Sequence, residues 1–193
     1  MNFDYRSEEY RRKLKKQNLK IKSLFQRDEI VKKIARGKIL ELGCGEFPLF
    51  KNSTKIDIAK IDGCIKADLN KPLPLKGKFD TIISLDVIEH LWKIDCFLKE
   101  CRRLLRYNGM LILSTPNVMN FWNRFGMLLN DELTISNYFN GMFEMGHTRY
   151  FTPYSLRKEL EEHNFVVKKM IPLGRIKVLS LCGGFICIAK TKK

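Results

Sequence analysis

Short apolar runs alternate with longer stretches in which apolar residues recur every three to four positions, and that alternation sets the expected fold. Tyr10, Leu14, Ile21, Leu24, Phe25, Val31 and Ile34 are spaced for one face of a helix over 8–34. Runs at 38–42, 54–58, 64–67, 79–85, 109–115, 164–171 and 183–190 predict seven strands. Between them the pattern predicts a short helix near 47–52 and longer helices at 94–106 and 152–163. Thr152-Pro153 supplies an N-cap followed by proline at the first helical position, and Asn108-Gly109 stops one helix and turns the chain into the fifth strand. Strands alternating with helices predict an α/β protein with a doubly wound, mostly parallel sheet. The end departs from that pattern. Strands 164–171 and 183–190 are joined through Pro172, Gly174, Gly183 and Gly184, a link too short for a helical crossover, so the last strand should be antiparallel.

Size and composition narrow this picture. A chain of 193 residues with a 45% apolar fraction has room for one domain and a proper core. It contains no apolar run of about 18 residues, so no membrane span is expected. The charged N-terminus lacks an apolar signal core, and the expected location is the cytoplasm. None of the six cysteines forms a C-x-x-C pair, which argues for reduced thiols packed as small hydrophobes; no metal ligand set is assigned. The net charge of +15 is uneven: residues 1–36 carry twelve Lys/Arg and five acids, and residues 168–193 carry seven Lys/Arg and no acids. Each end is therefore +7 and the body is nearly neutral, which suits contact with RNA, an anionic membrane surface or an acidic substrate, or else a plain solvated surface. Residues 1–36 read as a basic helical extension and 37–193 as the domain proper.

Lys38-Ile39-Leu40-Glu41-Leu42-Gly43-Cys44-Gly45 reads as a buried strand that ends in a glycine turn, where a nucleotide-like ligand can approach bare backbone. A dinucleotide fingerprint would need glycine at position 48, but Pro48 stands there, without an N–H for a pyrophosphate. A cofactor without phosphate fits better. Lys66-Ala67-Asp68-Leu69-Asn70-Lys71-Pro72-Leu73-Pro74 follows, then Phe79-Asp80-Thr81-Ile82-Ile83-Ser84-Leu85-Asp86-Val87-Ile88-Glu89-His90-Leu91. Further on come Phe97-Leu98-Lys99-Glu100, Leu111-Ile112-Leu113-Ser114-Thr115-Pro116-Asn117 and Gly146-His147-Thr148-Arg149-Tyr150-Phe151-Thr152-Pro153.

In this order, over about residues 37–190, these segments resemble the class I S-adenosylmethionine-dependent methyltransferases. Within that family they are most similar to the branch acting on quinone precursors, lipids, sugars and surface polysaccharides. The resemblance implies a Rossmann-like, seven-stranded, mostly parallel sheet with an antiparallel last strand, and S-adenosylmethionine as cofactor. Two departures stand out. Phe47 occupies the usual place of a third glycine, and Asp57 lies closer to Gly43 than the customary spacing, so the first helix should be short or partly unwound.

The resemblance also implies roles. Asp57, with Ile58 beside it, would take the ribose hydroxyls, because a carboxylate offers acceptors and no donors. Asp68 would accept from the adenine amino group and Leu69 would pack on the ring. Gly43, Cys44 and Gly45 would leave space for the amino-acid tail, and Glu41 would help orient its ammonium. Leu85 and Asp86 end the fourth strand, where ligands collect in such sheets. Asp86 would contact the ammonium or the acceptor, and its competing role is an N-cap. Among the three histidines, His147 is the better candidate base, His90 stands at the cleft rim, and His163 closes a surface helix. Residues 116–150, rich in aromatics and methionine, are expected to form a substrate lid, with Asn117, Trp122, Arg149 and Tyr150 as acceptor contacts.

The expected reaction is methyl transfer to an oxygen or nitrogen of a small-molecule, lipid-linked or glycan acceptor. RNA methylation through the basic ends is the alternative, although no RNA-binding module is recognisable. A non-catalytic partner subunit is another, and a nicotinamide oxidoreductase is disfavoured by Pro48. Peripheral membrane contact remains open, and the sequence is silent on oligomeric state.

Overall fold

The computed structural model describes residues 20–130 and 147–192. Seven strands form one sheet: β1 (Ile39–Leu42), β2 (Thr54–Asp57), β3 (Ile65–Lys66), β4 (Phe79–Leu85), β5 (Leu105–Pro116), β6 (Phe165–Leu173) and β7 (Gly184–Thr191). Their order across the sheet is β3-β2-β1-β4-β5-β7-β6. The first five strands are mutually parallel, while β7 runs antiparallel to both β5 and β6. The α/β architecture with an antiparallel last strand is the one expected. Four helices accompany the sheet among the described residues: α1 (Lys20–Ile34), α2 (Ile94–Leu104), α3 (Phe121–Asn130) and α4 (Pro153–Glu162).

Side-chain alternation along the central strands divides the core between the two faces of the sheet. On one face Ile82 of β4, Leu111 and Leu113 of β5, and Phe185, Cys187 and Ala189 of β7 pack with Phe97, Leu98 and Cys101 of α2 and with Leu156 and Leu160 of α4. On the other, Ile83, Leu85, Met110, Ile112, Ile186 and Ile188 pack with Val31, Ile30 and Ile34 of α1. Strands buried on both faces explain the near-continuous apolar runs. Helix α1 is therefore part of the packed domain rather than an appendage, with both Val31 and Arg27 wholly buried. Residues 8–19 of the helix expected over 8–34 lie outside the described residues.

Local chemistry accounts for several element ends. Thr152 caps α4 by accepting from the Ser155 backbone N–H at 3.0 Å, and Ser155 Oγ accepts from the Thr152 N–H at 2.9 Å. The fifth strand starts at Leu105, earlier than expected, with Asn108 bent into the left-handed region inside it. The short helix expected near 47–52 does not form; this stretch is a loop with a turn. Its backbone is held from outside: Glu41 accepts from the N–H groups of Leu49 and Phe50, at 2.6 and 2.9 Å. Those bonds to a side chain replace the ones a helix would make, and Pro48 has no N–H to contribute. Helix α3 was not anticipated. Asn120 Oδ1 accepts from the Asn123 N–H at 3.1 Å and marks its start.

Candidate active site

The strand order reverses between β1 and β4, because the chain proceeds outward through β2 and β3 before returning beside β1. The crevice beyond the carboxyl ends of strands at such a switch point is where ligands bind in open α/β sheets. The residues expected to hold a cofactor converge there. Gly43 follows β1 with φ +69°, and its N–H donates to Ile56 O at 2.8 Å. A Cβ on Gly43 would meet Val87 Cγ2 at 2.5 Å, so the turn needs glycine for both conformation and space. Asp57 closes β2, accepting from Gly45 N–H through Oδ2 and from Ala59 N–H through Oδ1, both at 2.9 Å. Each oxygen keeps acceptor capacity, which suits a ribose diol. Ile58 beside it is exposed and Leu69 is buried in the core.

Asp68 accepts through Oδ1 from both the backbone and side-chain nitrogens of Asn70 at 2.9 Å, the turn-forming arrangement that competes with an adenine role. Those two hydrogen bonds hold its carboxyl below the ordinary range, so it is an acceptor at neutral pH, and Oδ2 faces Lys71 only at 3.8 Å. The Cys44 and Cys64 sulfurs lie 3.4 Å apart, and burial, followed by contact with Cys64, pushes the Cys44 thiol up to about 12. At neutral pH it is an uncharged wall of the loop.

Glu41 does something other than expected. Its carboxylate takes the Leu49 and Phe50 N–H groups and the Ser53 hydroxyl, at 2.6, 2.9 and 2.5 Å, and is 3% exposed. These bonds brace the loop after β1 rather than leaving the carboxylate for a ligand's ammonium. Asp86 is not a helix cap either. It stands at φ +53°, accepts from Ser114 Oγ at 2.6 Å, and pairs through its other oxygen with Arg27. Arg27 also donates to Asp28 at 2.9 Å, so a wholly buried guanidinium from α1 reaches the end of β4. Nothing in the periodicity of α1 separates Arg27 from the other basic residues around it; only tertiary packing does.

The acceptor side gathers around the short 3-10 turn Ile88–His90. Thr148 and Arg149 donate their backbone N–H groups to Glu89 O at 2.8 and 3.1 Å, and Thr148 Oγ1 lies 3.2 Å from both Glu89 O and Leu91 O. This stitching sets His147 beside His90, with ring centroids 4.5 Å apart. Burial, then His90, push the His147 imidazole down to about 4, with Asp86 acting in the opposite sense. A base that weak holds a hydroxyl proton poorly. Glu89, the residue the sequence reading passed over, is 2% exposed, and neither carboxylate oxygen has a hydrogen-bond partner among the described residues. Burial, followed by the Asp86 charge, drives its carboxyl well above the ordinary range.

The expected acceptor contacts divide. Asn117 is 1% exposed, donates to Cys182 O at 3.0 Å and to Ser180 O at 3.3 Å, and accepts from Met119 N–H at 3.1 Å. It ties the end of β5 to the loop that enters β7 and is too buried to face an acceptor. Trp122 is 67% exposed on α3, edge-on to Phe121, which stacks with Phe125. Arg149 donates to Trp92 O at 3.3 Å, and Tyr150 is partly exposed. Tyr138, Phe139, Met142, Phe143 and Met145 lie outside the described residues. Among the described residues no helix is long and apolar enough to cross a membrane.

Several solved structures share this architecture and are named as methyltransferases. A possible histamine N-methyltransferase of Thermotoga maritima superposes with a TM-score of 0.64 at 19% identity, covering 96% of this chain and 95% of that one. An S-adenosylmethionine-dependent methyltransferase of Clostridium acetobutylicum gives 0.61 at 13% identity, covering 91% and 93%. At these identities the likeness establishes the fold. In sequence, a probable S-adenosylmethionine-dependent methyltransferase of Mycobacterium tuberculosis is 46% identical over 50 residues, 26% of this chain and 18% of the relative. A ubiquinone biosynthesis O-methyltransferase of Pelagibacter ubique is 36% identical over 72 residues, 37% of this chain and 27% of the relative. The chain thus spans well under half the length of these two curated relatives. The family model described as "Methyltransferase domain" matches residues 5–169, and the chain belongs to that family.

Proposed function

We propose that the protein transfers a methyl group from S-adenosylmethionine to an oxygen or nitrogen of a small-molecule, lipid-linked or glycan acceptor. The observation that carries this reading is the pairing of two acceptor-only carboxylates, Asp57 and Asp68, beyond β2 and β3, with the glycine turn beyond β1. That donor and acceptor set fits the cofactor's diol and its adenine amine. The ubiquinone biosynthesis relative supports a small-molecule acceptor.

When bound, the cofactor supplies a methyl group on a sulfonium that leaves neutral. The chain's own work is alignment and exclusion of water. The turn at Gly43, held by Val87, and the loop braced by Glu41 fix the wall beside the donor. Loop 147–149, pinned to Glu89 and Leu91, closes the acceptor side.

Calorimetry tests the reading. Asp57→Ala should weaken S-adenosylmethionine binding by more than about 1 kcal/mol, the loss of charge-assisted bonds. Unchanged affinity removes Asp57 from the cofactor site, and an unmutated chain that does not bind at all removes the reading. Methyl-labelled cofactor added to an extract of the protein's own host then finds the acceptor. A second reading, RNA methylation, is favoured by the +7 charge at each end of the chain. Label in RNA, with binding that falls steeply as salt rises, would select it.

A further inference from the structure

We propose that Cys44 and Cys64 close into a reversible disulfide, with a low-molecular-weight disulfide as oxidant, and that closure re-aims Asp57 and weakens cofactor binding. The crosslink stands on its own geometry; its effect rests on the methyl-transfer reading above. The two sulfurs lie 3.4 Å apart, on segments 20 residues apart in the chain. A disulfide bond is about 2.05 Å long, so the sulfurs have only roughly 1.3 Å to close.

Three observations converge. First, the pair straddles the carboxylate read as the ribose partner. Asp57 Oδ2 accepts from the N–H of Gly45, next to Cys44, and Asp57 Oδ1 accepts from the N–H of Ala59, in the loop leading to Cys64, both at 2.9 Å. Each oxygen is thus tied to one of the two segments that the disulfide joins. Second, the movement is one-sided. Gly43 has no room for a Cβ beside Val87 and donates to Ile56 O at 2.8 Å, which holds the Cys44 turn in place. Gly63 stands at φ +71° with nothing within 4 Å of a Cβ placed there, so the loop before β3 has room to follow. Drawing that loop toward Cys44 shifts Ala59 and turns the Asp57 carboxylate with it. Third, access is graded. Cys64 is half-buried, within reach of a dissolved reagent, and Cys44 is buried behind it.

The remaining thiols differ. Cys101, Cys182 and Cys187 are wholly buried, which shields them from reagents in solvent. Cys96 is half-buried on α2, away from the crevice, and serves as a control.

The Cys64 thiolate attacks one sulfur of the small disulfide RS–SR and expels RS⁻, leaving Cys64 as a mixed disulfide. Cys44 then loses its proton, attacks the Cys64 sulfur and expels the second RS⁻. Two thiols are oxidised to one disulfide, RS–SR is reduced, and the two protons end on two RSH. Burial raises the Cys64 thiol, the Cys44 contact offsets part of that, and Asp57 and Glu41 add to the rise against Lys55. Burial, followed by contact with Cys64, pushes Cys44 up to about 12. Both thiols are therefore protonated at neutral pH, so closure is slow and its rate climbs about tenfold per pH unit above neutrality. Linkage makes the effect reciprocal: bound cofactor opposes closure by the factor by which closure weakens binding.

The test uses the full chain, incubated with glutathione disulfide and afterwards with dithiothreitol. Peptide mapping after oxidation should find Cys44 linked to Cys64, with closure faster at about pH 9 than at about pH 7. Calorimetry should find S-adenosylmethionine bound at least tenfold more weakly by the oxidised chain, with affinity restored by the reductant. Cys64→Ser should bind the cofactor as the reduced wild type does and lose the response to oxidant, whereas Cys96→Ser should keep it. Reaction that stops at a mixed disulfide on Cys64 overturns the proposal, as does a linked chain that binds cofactor as tightly as the reduced one. A response that survives in Cys64→Ser overturns it too. The two readings fail separately. A reduced chain that binds no S-adenosylmethionine sinks the methyl-transfer reading and the control of it, while the peptide map still decides the crosslink.

Discussion

Glu41 and Glu89 are buried to the same degree, 3% and 2% exposed, one in β1 and the other just beyond β4. Their surroundings differ. Glu41 accepts two backbone N–H groups and a hydroxyl, all within 2.9 Å, while the Glu89 carboxyl has no well-formed hydrogen bond among the described residues and only the Thr115 side chain near it as a donor. The cofactor side of the crevice is thus a finished scaffold whose polar groups are satisfied by the chain itself. The acceptor side holds a buried carboxyl that burial and the Asp86 charge push toward its neutral form. Folds tolerate such local conflict chiefly where function requires it.

The largest expected effect comes from the residue that links the two sides. Arg27→Ala should destabilise the protein by about 3–5 kcal/mol, because it strips the partner from Asp28 and Asp86. Urea denaturation reads this, and a cost below about 1 kcal/mol would show that the guanidinium is dispensable to the fold. Glu41→Gln comes next, at about 2–3 kcal/mol destabilising, since one amide group would point a donor at a donor. Glu89→Gln should change stability in the opposite direction, by about 1–2 kcal/mol at neutral pH, because folding no longer has to protonate a buried carboxylate. Equal signs for the two glutamine variants would erase the contrast between the sides.

The same contrast explains what could be read in the sequence. Strands such as 79–85 announced themselves because they are buried on both faces, and Thr152-Pro153 marked α4 through purely local chemistry. Asp57 and Gly43 were legible because strand ends and turns constrain residue type. The loop at 47–52 was misread as helix because its N–H groups are taken by Glu41, a partner that composition and period do not reveal. Asn117 was misassigned for a related reason: an amide beside a cleft looks the same in sequence whether it faces a ligand or ties strands together. Arg27 and Glu89 were missed because burial of a charge is a tertiary fact. The one available signal for Glu89 was its place directly before a histidine after the fourth strand.

The smallest prediction concerns a histidine that takes no part in the crevice. His163 ends α4 with Nδ1 at 2.8 Å from Glu159 O and Nε2 at 2.8 Å from Asp95 Oδ1. Burial alone would lower its affinity for a proton, but the Glu159 carbonyl and the Asp95 carboxylate outweigh that and raise it above 6.5. A raised value means the folded state binds the proton more tightly than the unfolded one. The contribution is therefore complete below about 6.5 and is lost as pH rises through the higher folded value. Because Asp95 is largely exposed, solvent screening keeps the contribution below about 1 kcal/mol. Urea denaturation of the wild type should thus show a small loss of stability as pH rises above about 6.5, and His163→Gln should flatten it. A loss that persists undiminished in the variant would remove His163 as its origin, and His147 could not replace it, because a lowered folded value makes stability rise rather than fall with pH.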